Sequence, residues 1–222
     1  MFKYKIIKKA IGYELANFCF NYFKMKREVT AYYITKNVEL ERIVPKPTGK
    51  YVSMRELFAT KFMGTWSDPD VPNTYSHYSD IVMETLLIKL IPLMKKETQL
   101  KLVPTYSYAR MYKPGDVLER HKDRPSCEIS CTMHLGGDQW PIYIAQSEKR
   151  GTKGKKVLLD KGDLLIYSGC KLEHWREPFE GDLCAQVFLH YNHENGPFAS
   201  ENRFDKRPML GLSYHTRSTF DK

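Results

Sequence analysis

Three side chains of the kinds that bind metal ions lie in the second half of the chain. His121 and Asp123 form a His-x-Asp pair, and His174 follows about fifty residues later. Residues two positions apart on an extended strand point to the same face, so His121 and Asp123 can reach one ion. Two imidazoles and one carboxylate, with the opposite face of the ion left open, are typical of Fe(II) sites that react with dioxygen. The sequence therefore predicts a metal centre with open positions for a chelating co-substrate and for dioxygen.

The segments around these residues have the pattern of short β-strands. After Pro104, runs rich in β-branched and aromatic residues alternate with glycine-containing turns, such as the one at 135–138. The predicted strands are Tyr106–Tyr112, Ile129–Leu135, Pro141–Ile144, Lys156–Asp160, Asp163–Tyr167 and Asp182–Tyr191.

The clearest helical periodicity lies in the first hundred residues. It predicts amphipathic helices over Ala10–Met25 and Asp80–Lys96. Thr30–Thr35 is compatible with a strand or a helix end, whereas Val44–Lys50 and Trp66–Ser79 have the composition of loops. Helices followed by several short strands favour an α+β fold with a barrel or a double-sheet jelly roll. We expect one domain over 1–222, with helical support over about 1–100, the β core over about 101–192 and a surface tail over 193–222.

The composition is that of an ordinary globular protein, with 42% hydrophobic and 27% charged residues among 222. No apolar run is long enough to span a bilayer, and charged residues interrupt the N-terminal region where a signal peptide would be apolar. We therefore expect a cytoplasmic protein without a membrane partner. Five cysteines without a Cys-x-x-Cys pair favour free thiols over disulfides or a zinc ribbon. The net charge of +9 permits an anionic partner such as nucleic acid.

Two segments resemble the signature of a known enzyme family. Residues 112–123, Tyr-Lys-Pro-Gly-Asp-Val-Leu-Glu-Arg-His-Lys-Asp, are similar to the Tyr-x-x-Gly…His-x-Asp motif of the 2-oxoglutarate- and Fe(II)-dependent dioxygenases, above all the prolyl-4-hydroxylase-like branch. Residues 161–174 resemble the strand that bears the family's distal metal ligand, and Asp182–Tyr191 resembles its final core strand. The resemblance covers about residues 100–192. It implies a double-stranded β-helix core of the cupin or jelly-roll kind with supporting N-terminal helices.

The resemblance also implies the roles of individual residues. His121, Asp123 and His174 would ligate Fe(II), with 2-oxoglutarate and O2 as co-substrates and ascorbate kept open as a reductant. Tyr112 would face the co-substrate pocket. His134 falls where some relatives use a tyrosine to bind the distal carboxylate of 2-oxoglutarate.

The chain departs from the family pattern at the residue that neutralises this carboxylate. The family usually has a lysine or arginine about ten residues after the distal histidine, where this chain reads Gly-Asp-Leu-Cys-Ala-Gln over 181–186. A buried carboxylate needs a cationic partner, because an unpaired desolvated charge is costly. A guanidinium binds a carboxylate through two hydrogen bonds, so arginines are the candidates for this anchor. Arg110 and Arg176 rank equally, and Arg124 ranks below them. The alternative for each arginine is a structural ion pair.

The implied reaction is hydroxylation of a C–H bond, with succinate and CO2 as co-products, on a peptide or protein residue such as proline or on a small molecule. Recognition would lie on the Trp66–Ser79 loop and the C-terminal tail. One alternative is a non-catalytic jelly-roll binding protein, which the missing anchor supports. Another is an oxidative demethylase acting on nucleic acid; this is not favoured, because basic and aromatic residues do not interleave along the chain. The oligomeric state is not predicted.

Overall fold

Two antiparallel β-sheets pack against each other in the computed structural model, which describes residues 3–35 and 61–217 and the backbone of two short strands at 44–45 and 51–52. The strands are β1 (Tyr4–Ile7), β2 (Val44–Pro45), β3 (Tyr51–Val52), β4 (Tyr75–Tyr78), β5 (Leu102–Tyr112), β6 (Leu118–His121), β7 (Ile129–Gly137), β8 (Ile142–Ala145), β9 (Gly154–Val157), β10 (Leu164–Ser168), β11 (His174–Arg176) and β12 (Cys184–His193). The larger sheet has the order β1-β10-β7-β12-β5-β4, and the smaller has the order β6-β11-β8-β9. This double-sheet jelly roll confirms the predicted α+β fold.

The space between the sheets is apolar at one end. Leu165 and Tyr167 of β10 pack there against Ile142 and Ile144 of β8. Each fully buried side chain of this kind contributes about 1.5–3 kcal/mol relative to an exposed one. This contact holds the two inner faces together and fixes the side chains that point between them.

Two long helices cover the outer face of the larger sheet. Helix α1 (Tyr13–Thr35) and helix α2 (Ile81–Thr98) bury one apolar stripe each, and Phe23 and Leu87 are fully buried there against strand residues such as Met133. The prediction of both helices is confirmed. Helix α1 runs ten residues further than predicted, so Thr30–Thr35 is a helix end.

Local signals explain why α2 matches the prediction closely. The carboxylate of Asp80 accepts hydrogen bonds from the backbone N–H groups of Val82 and Met83, which caps the helix N-terminus. Gln99 ends the helix in the left-handed conformation (φ 60°), and its N–H donates to the carbonyl of Lys95.

Two edge strands of the larger sheet were not predicted. Within Trp66–Ser79, expected to be a loop, Tyr75–Tyr78 forms β4 along β5, and Tyr4–Ile7 forms β1 along β10. Both segments are four residues long and gain their backbone hydrogen bonds from a distant strand, so the local sequence does not identify them. The predicted loop at Val44–Lys50 lies outside the described residues except for its first two positions, which pair with β3.

Buried charged side chains hold the C-terminal tail against the rest of the fold. The tail contains the short helix α3 (Ala199–Asn202). Arg207 pairs with Glu84 of α2 at 2.7 Å, and Asp205 pairs with Arg124 at 2.7 Å and accepts a hydrogen bond from the Tyr78 hydroxyl. These contacts bring residues 213–215 over the edge of the two sheets. Within the described ranges, none of the helices has the length and apolar character needed to cross a lipid bilayer.

The contact between α1 and α2 depends on the buried carboxylate of Asp80. Lys26 of α1 lies 2.5 Å from it, the Tyr22 hydroxyl donates to it at 2.8 Å, and the Nδ1 of His77 lies at 3.0 Å. Burial alone would raise the pKa of Asp80, but the hydrogen bond from His77 and the charge of Lys26 hold this pKa well below its usual range.

We expect Asp80→Asn to lower the free energy of unfolding by about 3 kcal/mol at neutral pH, because the charge of Lys26 is left uncompensated in a buried place. A depressed carboxyl pKa stabilises the fold above the pKa of the unfolded chain, about 3.9. The difference between wild type and variant therefore shrinks progressively below about pH 4. Urea unfolding across this pH range measures it. The exposed Asp182→Asn is the control, with an expected change within about 0.5 kcal/mol; equal losses in both variants would contradict the assignment.

Candidate metal centre

His121, Asp123 and His174 converge at the inner face of the smaller sheet. Strands β6 and β11 pair with His121 directly opposite His174, and the two imidazole centroids lie 4.3 Å apart. The Oδ1 of Asp123 lies 3.5 Å from Nε2 of His121 and 3.4 Å from Nε2 of His174. Three donor atoms this close together can bind a single ion.

Backbone carbonyls set the tautomer of both histidines. The Nδ1 of His121 lies 2.7 Å from the carbonyl oxygen of Glu119, and the Nδ1 of His174 lies 3.1 Å from that of Leu172. A carbonyl only accepts hydrogen bonds, so each Nδ1 carries the proton and donates it. Each Nε2 points toward Asp123 and is the ring nitrogen left to bind a metal ion.

Asp123 lies just beyond β6 and is held from behind. Its backbone N–H donates to the carbonyl of Gly169, and the Ser130 hydroxyl donates to its Oδ2 at 2.8 Å, which leaves Oδ1 toward the histidines. Burial would raise the pKa of Asp123, but the neighbouring His174 and His121 hold it well below its usual range. A side chain at Gly169 would collide with Oδ2 of Asp123 and with the carbonyl oxygen of Cys127. Glycine at this position therefore leaves room for the carboxylate.

Two further potential ligands, Cys127 and His190, lie close to Asp123. The Sγ of Cys127 is 3.0 Å from the Tyr106 hydroxyl, and the Nδ1 of His190 is 2.9 Å from the Ser130 hydroxyl. Both side chains are buried beside Asp123, and His190 contacts the Ser130 hydroxyl that donates to the Asp123 carboxylate. Burial lowers the pKa of His190 to about 4, so this imidazole is neutral at physiological pH.

A cavity of about 570 Å³ opens over the three side chains. Tyr106 and Tyr108 of β5 and Phe188 of β12 form an aromatic wall, and Asp68 and Tyr214 reach it from the segment before β4 and from the tail. Both segments expected to face a substrate, the region 66–79 and the C-terminal tail, thus line this cavity. Sequence reasoning located the segments but not their individual residues.

Two of the three arginines considered as carboxylate anchors are bound to aspartates of this chain. Arg110 is buried in the cavity wall and pairs with Asp68 at 2.5 Å, and its Nη1 donates to the Tyr112 hydroxyl at 3.3 Å. Arg124 pairs with Asp205 through both terminal nitrogens, at 2.7 and 2.8 Å. The ion-pair alternative therefore describes both residues, with partners that lie far away in the sequence.

No carboxylate among the described residues pairs with Arg176. It follows His174 by two positions on β11 and is 1% exposed between the sheets. Its Nη1 donates to the carbonyl of Trp140, but Nε and Nη2 find no hydrogen-bond acceptor in the part of the chain that the structure describes. Burial lowers the pKa of Arg176, yet a guanidinium stays charged in proteins. Two buried donors of a charged group are thus left unpaired, which is costly unless a ligand accepts from them.

The remaining candidate residues lie on the inner face near Arg176. Tyr112 is fully buried and packs edge-on against Trp140, with ring centroids 4.7 Å apart. His134 is buried, and the Gln186 side chain lies 3.2 Å from its Nδ1. Burial, with the charge of Arg176 as a second cause, lowers the pKa of His134 to about 4.

Sequence reasoning missed Thr132, Tyr167 and Gln186. Thr132 donates to the side-chain oxygen of Gln186 at 3.3 Å, and the Tyr167 ring packs 4.7 Å from that of His174. Two-residue alternation would have identified Thr132 and Gln186. Thr132 shares one face of β7 with His134, and Gln186 shares one face of β12 with Cys184.

No protein-family model matches the sequence, and a search of the curated proteins finds no relative. Solved structures are similar to it in fold. A prolyl-4-hydroxylase from Pseudomonas putida aligns with 12% identity over 86% of this chain and 94% of that chain, with a TM-score of 0.58. HygX from Streptomyces hygroscopicus, solved with nickel, 2-oxoglutarate and hygromycin B, aligns with 12% identity over 89% and 85% and a TM-score of 0.54.

A third similar structure is the viral collagen prolyl hydroxylase of Paramecium Bursaria Chlorella virus-1 in complex with 2-oxoglutarate. It aligns with 11% identity over 85% of this chain and 95% of that chain, with a TM-score of 0.50. The chain therefore shares its overall fold with proteins that are only 11–12% identical to it in sequence. The chain has the double-stranded β-helix fold of the 2-oxoglutarate- and Fe(II)-dependent oxygenases.

Proposed function

We propose that this protein is a 2-oxoglutarate- and Fe(II)-dependent oxygenase that hydroxylates a C–H bond. The observation that carries the proposal is the convergence of two imidazoles and one carboxylate on the inner face of the smaller sheet. The Nε2 atoms of His121 and His174 both lie within 3.5 Å of Oδ1 of Asp123. Two nitrogens and one oxygen on one side of an ion leave the opposite side open, which suits Fe(II) oxygenase chemistry. The fold shared with prolyl hydroxylases supports the same reading.

The side chains at this site fit both an iron ion and 2-oxoglutarate. His121, Asp123 and His174 would hold the iron, and the unpaired Nε and Nη2 of Arg176 would receive a carboxylate of 2-oxoglutarate. When bound, the iron and 2-oxoglutarate supply the oxidation of a substrate C–H bond by dioxygen, with succinate and CO2 as co-products. Around them, the backbone carbonyls orient the imidazoles and the Ser130 hydroxyl orients the carboxylate.

Arg176 is the anchor that we propose for 2-oxoglutarate. It points to the same inner face as His174, about 7 Å further along the strand. A short dicarboxylate bound at the metal centre could span this distance. Tyr112 and His134 would complete the polar surroundings, with His134 neutral. We assign Arg110 instead to the substrate cavity, because Asp68 already neutralises its charge.

For the substrate we propose a peptide or protein residue, with proline as the first candidate. The aromatic wall of Tyr106, Tyr108 and Phe188 offers an apolar surface for a ring or a methylene group. The open side of the cavity lies between two chain segments, which leaves room for groups that flank the reacting residue. A small molecule is the alternative, and comparing the two substrate classes in the same assay distinguishes them.

The first expected result concerns the metal ligands. His121→Ala and His174→Ala should each abolish succinate formation from 2-oxoglutarate in air with Fe(II) and ascorbate. They should also lower the affinity for Mn(II), a redox-stable substitute, at least about 100-fold, because a protein ligand is lost. His193→Ala, a partly exposed histidine at the end of β12, is the control and should leave both unchanged. Mn(II) affinity that survives in both ligand variants would refute the assignment, even if turnover requires a substrate not yet supplied.

A second result separates the two anchor candidates. In titration calorimetry of the Mn(II)-loaded protein, Arg176→Met should weaken 2-oxoglutarate binding at least about 100-fold, since breaking a buried charge pair costs about 3–5 kcal/mol. Arg110→Met, the matched control, should change it by less than about fivefold. Thermal melts establish that both variants are folded. The opposite order of the two effects would assign the anchor to Arg110.

A third result concerns the charge of Arg176 in the absence of ligands. Its guanidinium is the second cause, after burial, of the low pKa of His134, about 4. Removing this charge in Arg176→Met should raise the pKa of His134, which NMR titration of the imidazole resonances can follow. Arg110→Met serves as the control and should leave that pKa in place. An unchanged pKa in Arg176→Met would mean that the guanidinium does not act on this part of the interior.

A further inference from the structure

Four side chains form a row across the outer face of the smaller sheet. Arg120, Trp175, Tyr143 and Lys156 each come from a different strand, in the order β6, β11, β8 and β9. Trp175 pairs with Tyr143 and Tyr143 with Lys156 in the strand register. The guanidinium of Arg120 lies 4.1 Å from the Trp175 ring, whose centroid is 5.4 Å from that of Tyr143 at an angle of 12°. We call this arrangement the outer row.

The outer row and the metal centre lie on opposite faces of the same two strands. Arg120 is adjacent to His121 on β6, and Trp175 is adjacent to His174 on β11. Consecutive residues of a strand point to opposite faces, so the side chains of the row point away from the space between the sheets. Neither the metal centre nor the proposed oxygenase reaction accounts for them.

A dense group of basic residues adjoins this row. The segment 149–156, which ends inside β9, has four exposed basic residues that lie in or beside the row: Lys149, Arg150, Lys153 and Lys156. Lys155 alternates to the other face of β9, where its Nζ lies 5.9 Å from the Tyr4 ring centroid. Nearby acidic groups are few. Glu173 is buried and paired with Arg120 at 2.8 Å, and the exposed Glu177 accepts a hydrogen bond from the Trp175 indole. The surface formed by Lys149, Arg150, Lys153 and the outer row, here the basic face, carries an excess of positive charge even with the exposed Glu148 beside it.

Hydrogen bonds connect the basic face to the chain segments that carry His121, Asp123 and His174. Arg120 donates to the carbonyl of Thr152 at 2.5 Å, and the N–H of Gly151 donates to Glu173 at 2.8 Å. Lys122, which lies between His121 and Asp123 in the sequence, donates to the carbonyl of Glu148 at 2.9 Å. A connection fixed in this way loses little entropy when a ligand binds to it.

We propose that the basic face binds single-stranded nucleic acid. The lysines of the basic face would neutralise successive phosphates, and the partly exposed rings of Tyr143 and Trp175 would contact bases. The row is about 14 Å wide across four strands, which matches a single strand lying over a sheet. Basic and aromatic residues do not interleave along the chain; the strand register creates this pattern in space. The aromatic rings favour a base-bearing polymer over an acidic polypeptide, and the scarcity of exposed aliphatic residues in the row disfavours a membrane surface.

The test is the binding of fluorescein-labelled poly(dT) and poly(U), measured by fluorescence anisotropy over a range of salt concentrations. The triple variant Lys149→Glu/Lys153→Glu/Lys156→Glu should lose at least tenfold in affinity. The slope of log affinity against log salt should fall by about 2, since each phosphate contact contributes about 0.7. The matched control, Lys24→Glu/Lys89→Glu/Lys101→Glu, changes the net charge equally at exposed sites on the other side of the fold and should stay within about twofold.

A second variant tests the aromatic part of the basic face. Tyr143→Leu should weaken binding to poly(U) about tenfold, the order of one stacked base, and leave binding to heparin, a polyanion without bases, unchanged. The proposal is overturned if neither homopolymer binds at low salt or if both triple variants lose affinity equally. Binding of polyglutamate or phosphatidylserine vesicles that is tighter than that of poly(U) and depends on the same lysines would overturn it in favour of an acidic protein or a membrane. None of these measurements depends on iron, 2-oxoglutarate or turnover.

Discussion

The antiparallel pairing of β6 with β11 brings His121 opposite His174, although about fifty residues separate them in the chain. The geometry of the site follows from this register. Backbone carbonyls of the same two strands fix both tautomers, and the absence of a side chain at Gly169 leaves space for Asp123. The apolar contact between the sheets and the helices packed outside hold these strands in position. The site is therefore preorganised by backbone structure, and long flexible side chains contribute little to it.

Charge compensation distinguishes the buried arginines. Arg110 and Arg207 each pair with a carboxylate from another part of the chain, whereas no carboxylate among the described residues pairs with Arg176, and its Nε and Nη2 find no acceptor there. A protein interior tolerates such a group only at a cost, which binding of an anion removes. The family usually has its basic residue about ten residues after the distal histidine. In this chain a buried arginine, Arg176, lies two residues after His174. With Arg176 as the proposed anchor, the departure from the family pattern at 181–186 does not favour a binding protein without catalysis.

Alternation along β6 and β11 gives the smaller sheet two unlike surfaces. The inner surface brings together three side chains that could hold one ion, and the outer surface is aromatic and basic. Buried charges tie the tail and the segment before β4 to the cavity, so its lining combines residues of both sheets with residues of these two segments. A rigid scaffold with recognition elements on its connections is the usual way in which one fold serves different substrates.

The sequence by itself determined what depends on neighbouring residues. Helical periodicity predicted both long helices, runs of β-branched and aromatic residues between glycine turns predicted most core strands, and the types and spacing of His121, Asp123 and His174 predicted a three-ligand set that the structure brings together. The tertiary structure decided what depends on distant partners: the edge strands β1 and β4, the carboxylates that pair with Arg110 and Arg124, and the outer row. The physical reason is the distance along the sequence over which each effect acts. Helix periodicity and strand alternation act over a few residues, whereas strand register and ion pairing are set by contacts between segments tens of residues apart, which one sequence does not specify locally.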